Sequence, residues 1–262
     1  MTENDNAEPL VGKKIFFLHA SILIQNKIVE ELAQEEFEVY SVKDETRLRY
    51  LLRRYPDSIV FANISDGMRE SAWENWIRTV MMDNATAGVS IGIIAYGEDA
   101  NLRHKYTELL KIRCGYTVMK PDLPMMVRQL ADILDNVSAK GRRKYIRVLT
   151  DNETNITVNL PMNGTFINGV VKDISTAGFS CSFTEEPELS RNTHFTDIQL
   201  RLQTEFLKVQ GMFFGSRMQG TERVFVILIT QHTAVEERTR IRKFIRSLLQ
   251  SRIDNELSSC HR

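Results

Sequence analysis

The pattern of the hydrophobic residues changes character near Ala139, from alternating strands and helices to a run of strands, and that change bounds what the chain can fold into. From Lys13 to Val137, short apolar runs alternate with stretches at helical spacing. Ile15-Phe16-Phe17-Leu18, Val39–Val42, Ile59–Ala62, Val89–Ala95 and Tyr116–Met119 are the expected strands. A short, wholly apolar run marks a strand buried on both faces. Between them, Ile24, Ile28, Val29, Leu32 and Ala33 recur at helical spacing, and Leu48, Leu51 and Leu52 follow the capping residue Asp44. A helix around Trp73, Trp76, Ile77 and Val80, one that Asp99 starts, and a last one over Leu123–Val137 complete the series. Five strands alternating with five helices imply a parallel sheet covered on both faces.

After Ala139 the helical signal vanishes. Asn155–Leu160, Thr165–Ile174, Gly178–Phe183, Ile198–Leu202, Phe206–Phe214 and Arg223–Thr230 read as strands, separated by turn signals such as Asn163-Gly164 and Gln219-Gly220-Thr221. Six short strands at this spacing predict a small closed antiparallel barrel, since closure removes exposed edges. A helix over Val235–Ile253 follows, with Ile241, Phe244, Ile245, Leu248 and Leu249 as its apolar stripe for packing on the barrel or on the first domain. The expected fold class is therefore two domains. The first is an N-terminal α/β doubly wound five-stranded parallel sheet; the second is a small six-stranded antiparallel β-barrel with a C-terminal helix. The expected boundaries are a disordered tail at 1–12, the α/β domain at 13–138, a basic linker at 139–148, the barrel and helix at 149–253, and a tail at 254–262.

Lys+Arg and Asp+Glu both number 34, so any anion site must come from local clustering. One cluster stands out: five of the eight residues from Lys140 to Arg147 are basic. The three cysteines form no CxxC pair and the histidines are scattered, which argues against a disulfide framework or a zinc site and fits a reducing cytoplasm. The polar, acidic start has no signal-peptide pattern, and the apolar runs are too short to span a bilayer. A cytoplasmic protein is expected.

The strand and helix order of the first half resembles the receiver domain of bacterial response regulators, with Lys120-Pro121 after the fifth strand similar to the receiver Lys-Pro step. The receiver chemistry is missing. His19 and Ala20 stand where two acidic residues would hold Mg²⁺, Ala62 and Asn63 where the aspartate nucleophile would lie, and Ala95-Tyr96 where a Thr/Ser is required. Without carboxylates there is no hard-cation site and no phosphoryl acceptor; Asp66 lies too far along the chain to substitute. The loop His19-Ala20-Ser21 is no phosphate cradle for a flavin either. This half is expected to act as an interaction scaffold.

In the second half, Arg142-Arg143-Lys144-Tyr145-Ile146-Arg147 reads as RRxxxR, and Asp173-Ile174-Ser175-Thr176-Ala177-Gly178 reads as DxSxxG. This pair, ahead of a small barrel and an Arg-rich helix, resembles the PilZ domain over residues 140–253. The resemblance implies binding of the second messenger cyclic di-GMP, with Arg142, Arg143, Arg147, Asp173, Ser175 and Gly178 at ligand positions. The chemistry agrees. Arg bonds a phosphate or the guanine O6/N7 edge bidentately and stacks on a purine. Asp173 can accept from the guanine N1–H and N2–H₂ edge, Ser175 is a small donor and acceptor, and Gly178 leaves room for close backbone approach.

The expected function is a cyclic di-GMP receptor without catalytic activity or cofactor. Ligand binding would order the junction between the domains and alter contacts with a protein partner, through the receiver-like domain or the barrel surface, in motility or surface-related signalling. Two alternatives stay open: a nucleic-acid-binding module using the basic linker and helix, and a receiver-fold interaction scaffold. Zero net charge and the lack of an aromatic stacking platform disfavour nucleic acid.

Overall fold

The computed structural model describes residues 11–150 and 153–259; most of the expected N-terminal tail, and the last residues of the C-terminal one, lie outside the described residues. The chain forms two compact units: one runs up to Lys144 and resumes at Gln250, and the other spans Tyr145–Leu249.

The first unit is a five-stranded parallel sheet in the order β2-β1-β3-β4-β5. Its strands are β1 (Ile15–Leu18), β2 (Val39–Val42), β3 (Ile59–Asn63), β4 (Ser90–Ala95) and β5 (Tyr116–Val118). The helices are α1 (Val29–Gln34), α2 (Glu45–Arg54), α3 (Glu70–Met82), α4 (Ala100–His104) and α5 (Leu123–Asn136). Ile15 and Phe17 of β1 and Ile59 and Phe61 of β3 join one core with Leu32 of α1 and Leu130 of α5. The alternate residues Phe16, Leu18, Val60 and Ala62 are as fully buried, so both faces of the sheet are covered.

Local chemistry starts three of the helices. Asp44 accepts from Arg47 N at 2.8 Å, Asp99 from Asn101 N at 2.9 Å, and Asp122 from Met125 N at 3.0 Å. Two helices depart from the even period expected. A π-helical turn, Ile24–Ile28, leads into α1, and another, Lys105–Leu109, continues α4.

The second unit holds β6 (Arg147–Leu149), β7 (Ile156–Met162), β8 (Thr165–Ser175), β9 (Gly178–Phe183), β10 (His194–Leu202), β11 (Glu205–Gln219) and β12 (Glu222–Ile229). Six of them run β8-β7-β10-β11-β12-β9, and the β8–β9 pairing closes the ring into an antiparallel barrel. The seventh, β6, falls within the expected linker. It pairs with the last residues of β8, beyond the stretch that β7 occupies. Alternation is too short to read over three residues, so only the partner strand defines β6.

The barrel core includes Val158, Ile174, Phe179, Ile198, Phe213 and Phe225. Ile241, Phe244, Ile245 and Leu248 of α6 (Val235–Ser259) belong to the same core, with Leu249 packed against it, so of the two expected positions the stripe takes the one on the barrel. The helix runs past its expected end at Ile253: Leu257 is buried, and the Ser258 hydroxyl donates to Asp254 O at 2.8 Å. From Gln250 onward it belongs to the first unit. There the Gln250 side chain bonds both the N–H and the carbonyl of Ser41 at 3.0 Å, satisfying part of the open edge of β2.

Candidate functional site

The two motifs meet at the β6–β8–β9 corner of the barrel. In the antiparallel register, Arg147 faces Ser175, Val148 faces Ile174 and Leu149 faces Asp173. Val148 points into the barrel core, so Arg147 and Leu149 lie on the outer face.

Strict alternation along β8 would send Asp173 inward beside the core residue Val171. A bulge prevents this. The register with β9 shifts between Val171 and Asp173, so Val171 pairs with Cys181 while Asp173 pairs with Ser180 and Ile174 with Phe179. Val171, Ile174, Phe179 and Cys181 are all in the core. The extra residue, Lys172, thereby turns the Asp173 side chain to the outer face, which is how β-bulges re-aim a functional group.

The side chain is 9% exposed there and has a partner at each oxygen. Arg147 Nε lies 3.3 Å from Oδ1, and the Ser180 hydroxyl donates to Oδ2. A nearly buried carboxylate requires this kind of compensation. Burial, and secondarily the Asp173 charge, holds the neighbouring Cys181 thiol protonated, well above its ordinary pKa.

Ser175 and Gly178 have structural duties at the same corner. The Ser175 hydroxyl donates to Gly178 O at 3.0 Å, clasping the β8–β9 turn. Gly178 faces Leu228 of β12, and a Cβ on it would run into the Ile227 carbonyl oxygen, so glycine is needed for close backbone approach. One strand position further along the outer face, Lys172 bonds Glu222 at 2.8 Å; this bond, with another from the Ser182 hydroxyl, holds the Glu222 carboxyl below its usual pKa.

Arg147, Asp173, Ser175 and Gly178 are thus brought together. Arg142 and Arg143 are exposed in the irregular segment before β6 and belong to the first unit. Ser180 is the group that sequence reasoning missed. Its signal was present: in Phe179-Ser180-Cys181-Ser182-Phe183 the apolar residues alternate with small hydroxyls on the other face.

In the first unit, the carboxyl ends of the strands open on a cleft of about 660 Å³ whose lining includes His19, Ser21, Lys43, Asp66 and Tyr96. Ligands of open α/β sheets bind in this position. Asn63, at the receiver nucleophile position, is buried; its amide donates to His19 O at 2.9 Å and its oxygen accepts from Ser65 N at 3.3 Å. His19 adopts a left-handed backbone (φ 53°), and its Nε2 lies 3.2 Å from Glu45 Oε2. Polar groups that bind metal and phosphoryl in a receiver are here replaced by groups that hold the loops. Among the described residues, no group of three or more His, Cys, Asp or Glu could hold a metal ion. No helix among them is long and apolar enough to cross a membrane.

No family model matches this chain, and no curated protein does. Among solved structures it is similar to the PilZ domain of YcgR from Escherichia coli with c-di-GMP, at 13% identity and a TM-score of 0.37, over 45% of this chain and 98% of that one. It is also similar to the MrkH–c-di-GMP complex of K. pneumonia, at 17% identity and a TM-score of 0.40, over 44% of this chain and 55% of that one. A third likeness is to a chemotaxis response regulator of Vibrio cholerae, at 15% identity and a TM-score of 0.39, over 48% of this chain and 98% of that one.

Proposed function

We propose that this protein is a receptor for cyclic di-GMP, bound on the outer face of the barrel by Arg142, Arg143 and Arg147 of the basic segment and by Asp173, Ser175 and Gly178. The observation that carries the reading is the Arg147–Asp173 pair. Residues 26 apart in sequence, one from each motif, lie 3.3 Å apart across β6 and β8. The ligand presents two phosphodiester charges, matched by the arginines, and two guanines whose N1–H and N2–H₂ edges match a carboxylate acceptor.

The output is conformational. Binding engages the Lys140–Arg147 segment, orders the junction between the two units, and alters the surface offered to a protein partner. No catalytic step is assigned. Isothermal calorimetry with cyclic di-GMP tests the reading and returns the stoichiometry. Binding by the wild type with about tenfold to a hundredfold loss in Arg143→Ala and Arg147→Ala is expected, the magnitude of one charge-assisted contact. Equal affinity in all three proteins would remove the motif from the site.

A further inference from the structure

We infer that Ser180 is a positioning residue that makes the Asp173 carboxylate a reader of the guanine amino edge; the inference rests on the cyclic di-GMP reading above. An ionised carboxylate has about four acceptor positions, two on each oxygen. Within the barrel the Ser180 hydroxyl, from β9, donates to Oδ2, and the Arg147 guanidinium, from β6, forms an ion pair with Oδ1. A carboxylate held in this way suits a ligand edge with two parallel N–H donors. Guanine offers this edge in N1–H and N2–H₂, and adenine does not.

The two partners come from strands on opposite sides of β8. Rotation of the carboxylate about its Cβ–Cγ bond would break the Ser180 bond, so that bond holds its plane. Ser180 is 2% exposed and its hydroxyl is committed to Asp173, so it acts through that carboxylate and not on the ligand. Loss of the Ser180 hydroxyl frees Oδ2 to swing, and the bidentate match with the base is the property lost first.

The test compares cyclic di-GMP with cyclic di-IMP, the inosine analogue that lacks the exocyclic amino groups, by calorimetry on the full chain. The wild type should prefer cyclic di-GMP by about tenfold to a hundredfold, the effect of one donor to a charged acceptor. In Ser180→Ala the cyclic di-GMP affinity should fall about fivefold to tenfold with a much smaller change for cyclic di-IMP, so the preference collapses. Ser180→Thr, which keeps the hydroxyl and suits a strand, should restore it. Asp173→Asn, with one acceptor oxygen, should show the same low preference as Ser180→Ala.

A merely structural role would lower thermal stability or weaken both ligands equally. An unchanged preference in Ser180→Ala overturns the inference, whatever happens to stability. A wild type that binds cyclic di-GMP without regard to the amino group also overturns it, yet leaves the receptor reading standing. A wild type that binds neither ligand sinks both.

Discussion

Asp173 sits where a carboxylate is costly, 6% exposed on a strand whose neighbouring residues fill the barrel core. Arg147 and Ser180 offset that cost, but unequally. Arg147 is 38% exposed, so water replaces part of what it supplies. Arg147→Ala should therefore lower stability by only about 1 kcal/mol in denaturant titration, while its effect on cyclic di-GMP affinity is larger. Cys114 gives a second prediction at this scale. Burial pushes its thiol up to about 11 from an ordinary value of 9.0. The folded state favours the protonated thiol, so this contribution is fully present below the unfolded pKa and is lost as pH rises through the folded one. Between pH 9.0 and about 11 the stability of the wild type should fall more steeply than that of Cys114→Ala, by on the order of 2 kcal/mol.

The barrel site belongs to β8 as an element. The strand pairs with β7 along its first half, β6 along its last three residues, and β9 along its other edge. The turn into β9 carries Ser175 and Gly178, which seat β9 against β12. Gly178→Ala forces a Cβ onto a backbone carbonyl and has no flexible neighbour to displace. It should destabilise the barrel by about 1–3 kcal/mol, with loss of β9–β12 amide protection in hydrogen exchange. In the first unit, α5 starts at a cap, and Asp122→Ala should cost about 1 kcal/mol in thermal unfolding without touching ligand affinity. That contrast separates stability from binding.

The molecule as a whole joins a sheet that lacks the receiver carboxylates to a barrel that carries the DxSxxG motif. Incubation with a small phosphodonor should leave no phosphoryl adduct by intact mass, because Asn63 stands at the nucleophile position and its side chain is bonded into the loops. Solution scattering at saturating cyclic di-GMP should differ from the ligand-free profile; an unchanged profile would reject the ordering of the junction while leaving binding intact.

The architecture was legible in the sequence because burial imposes period. Phe16 and Phe17 of β1 both had to be covered, Phe179, Cys181 and Phe183 had to share one face of β9, and Ile241, Phe244, Ile245 and Leu248 could only be a helix stripe. The residues of the candidate site were named from a resemblance carried by RRxxxR and DxSxxG, and no local period marks them. Only the tertiary structure decided which way they point. Alternation from Val171 places Asp173 inside the barrel, yet the bulge at Lys172 turns it outward. The strand identity of Arg147 and the pairing of Ser180 with Asp173 likewise exist only once β8 has a neighbour on each side. A bulge is set by the register of two strands distant in sequence, and no local period encodes it.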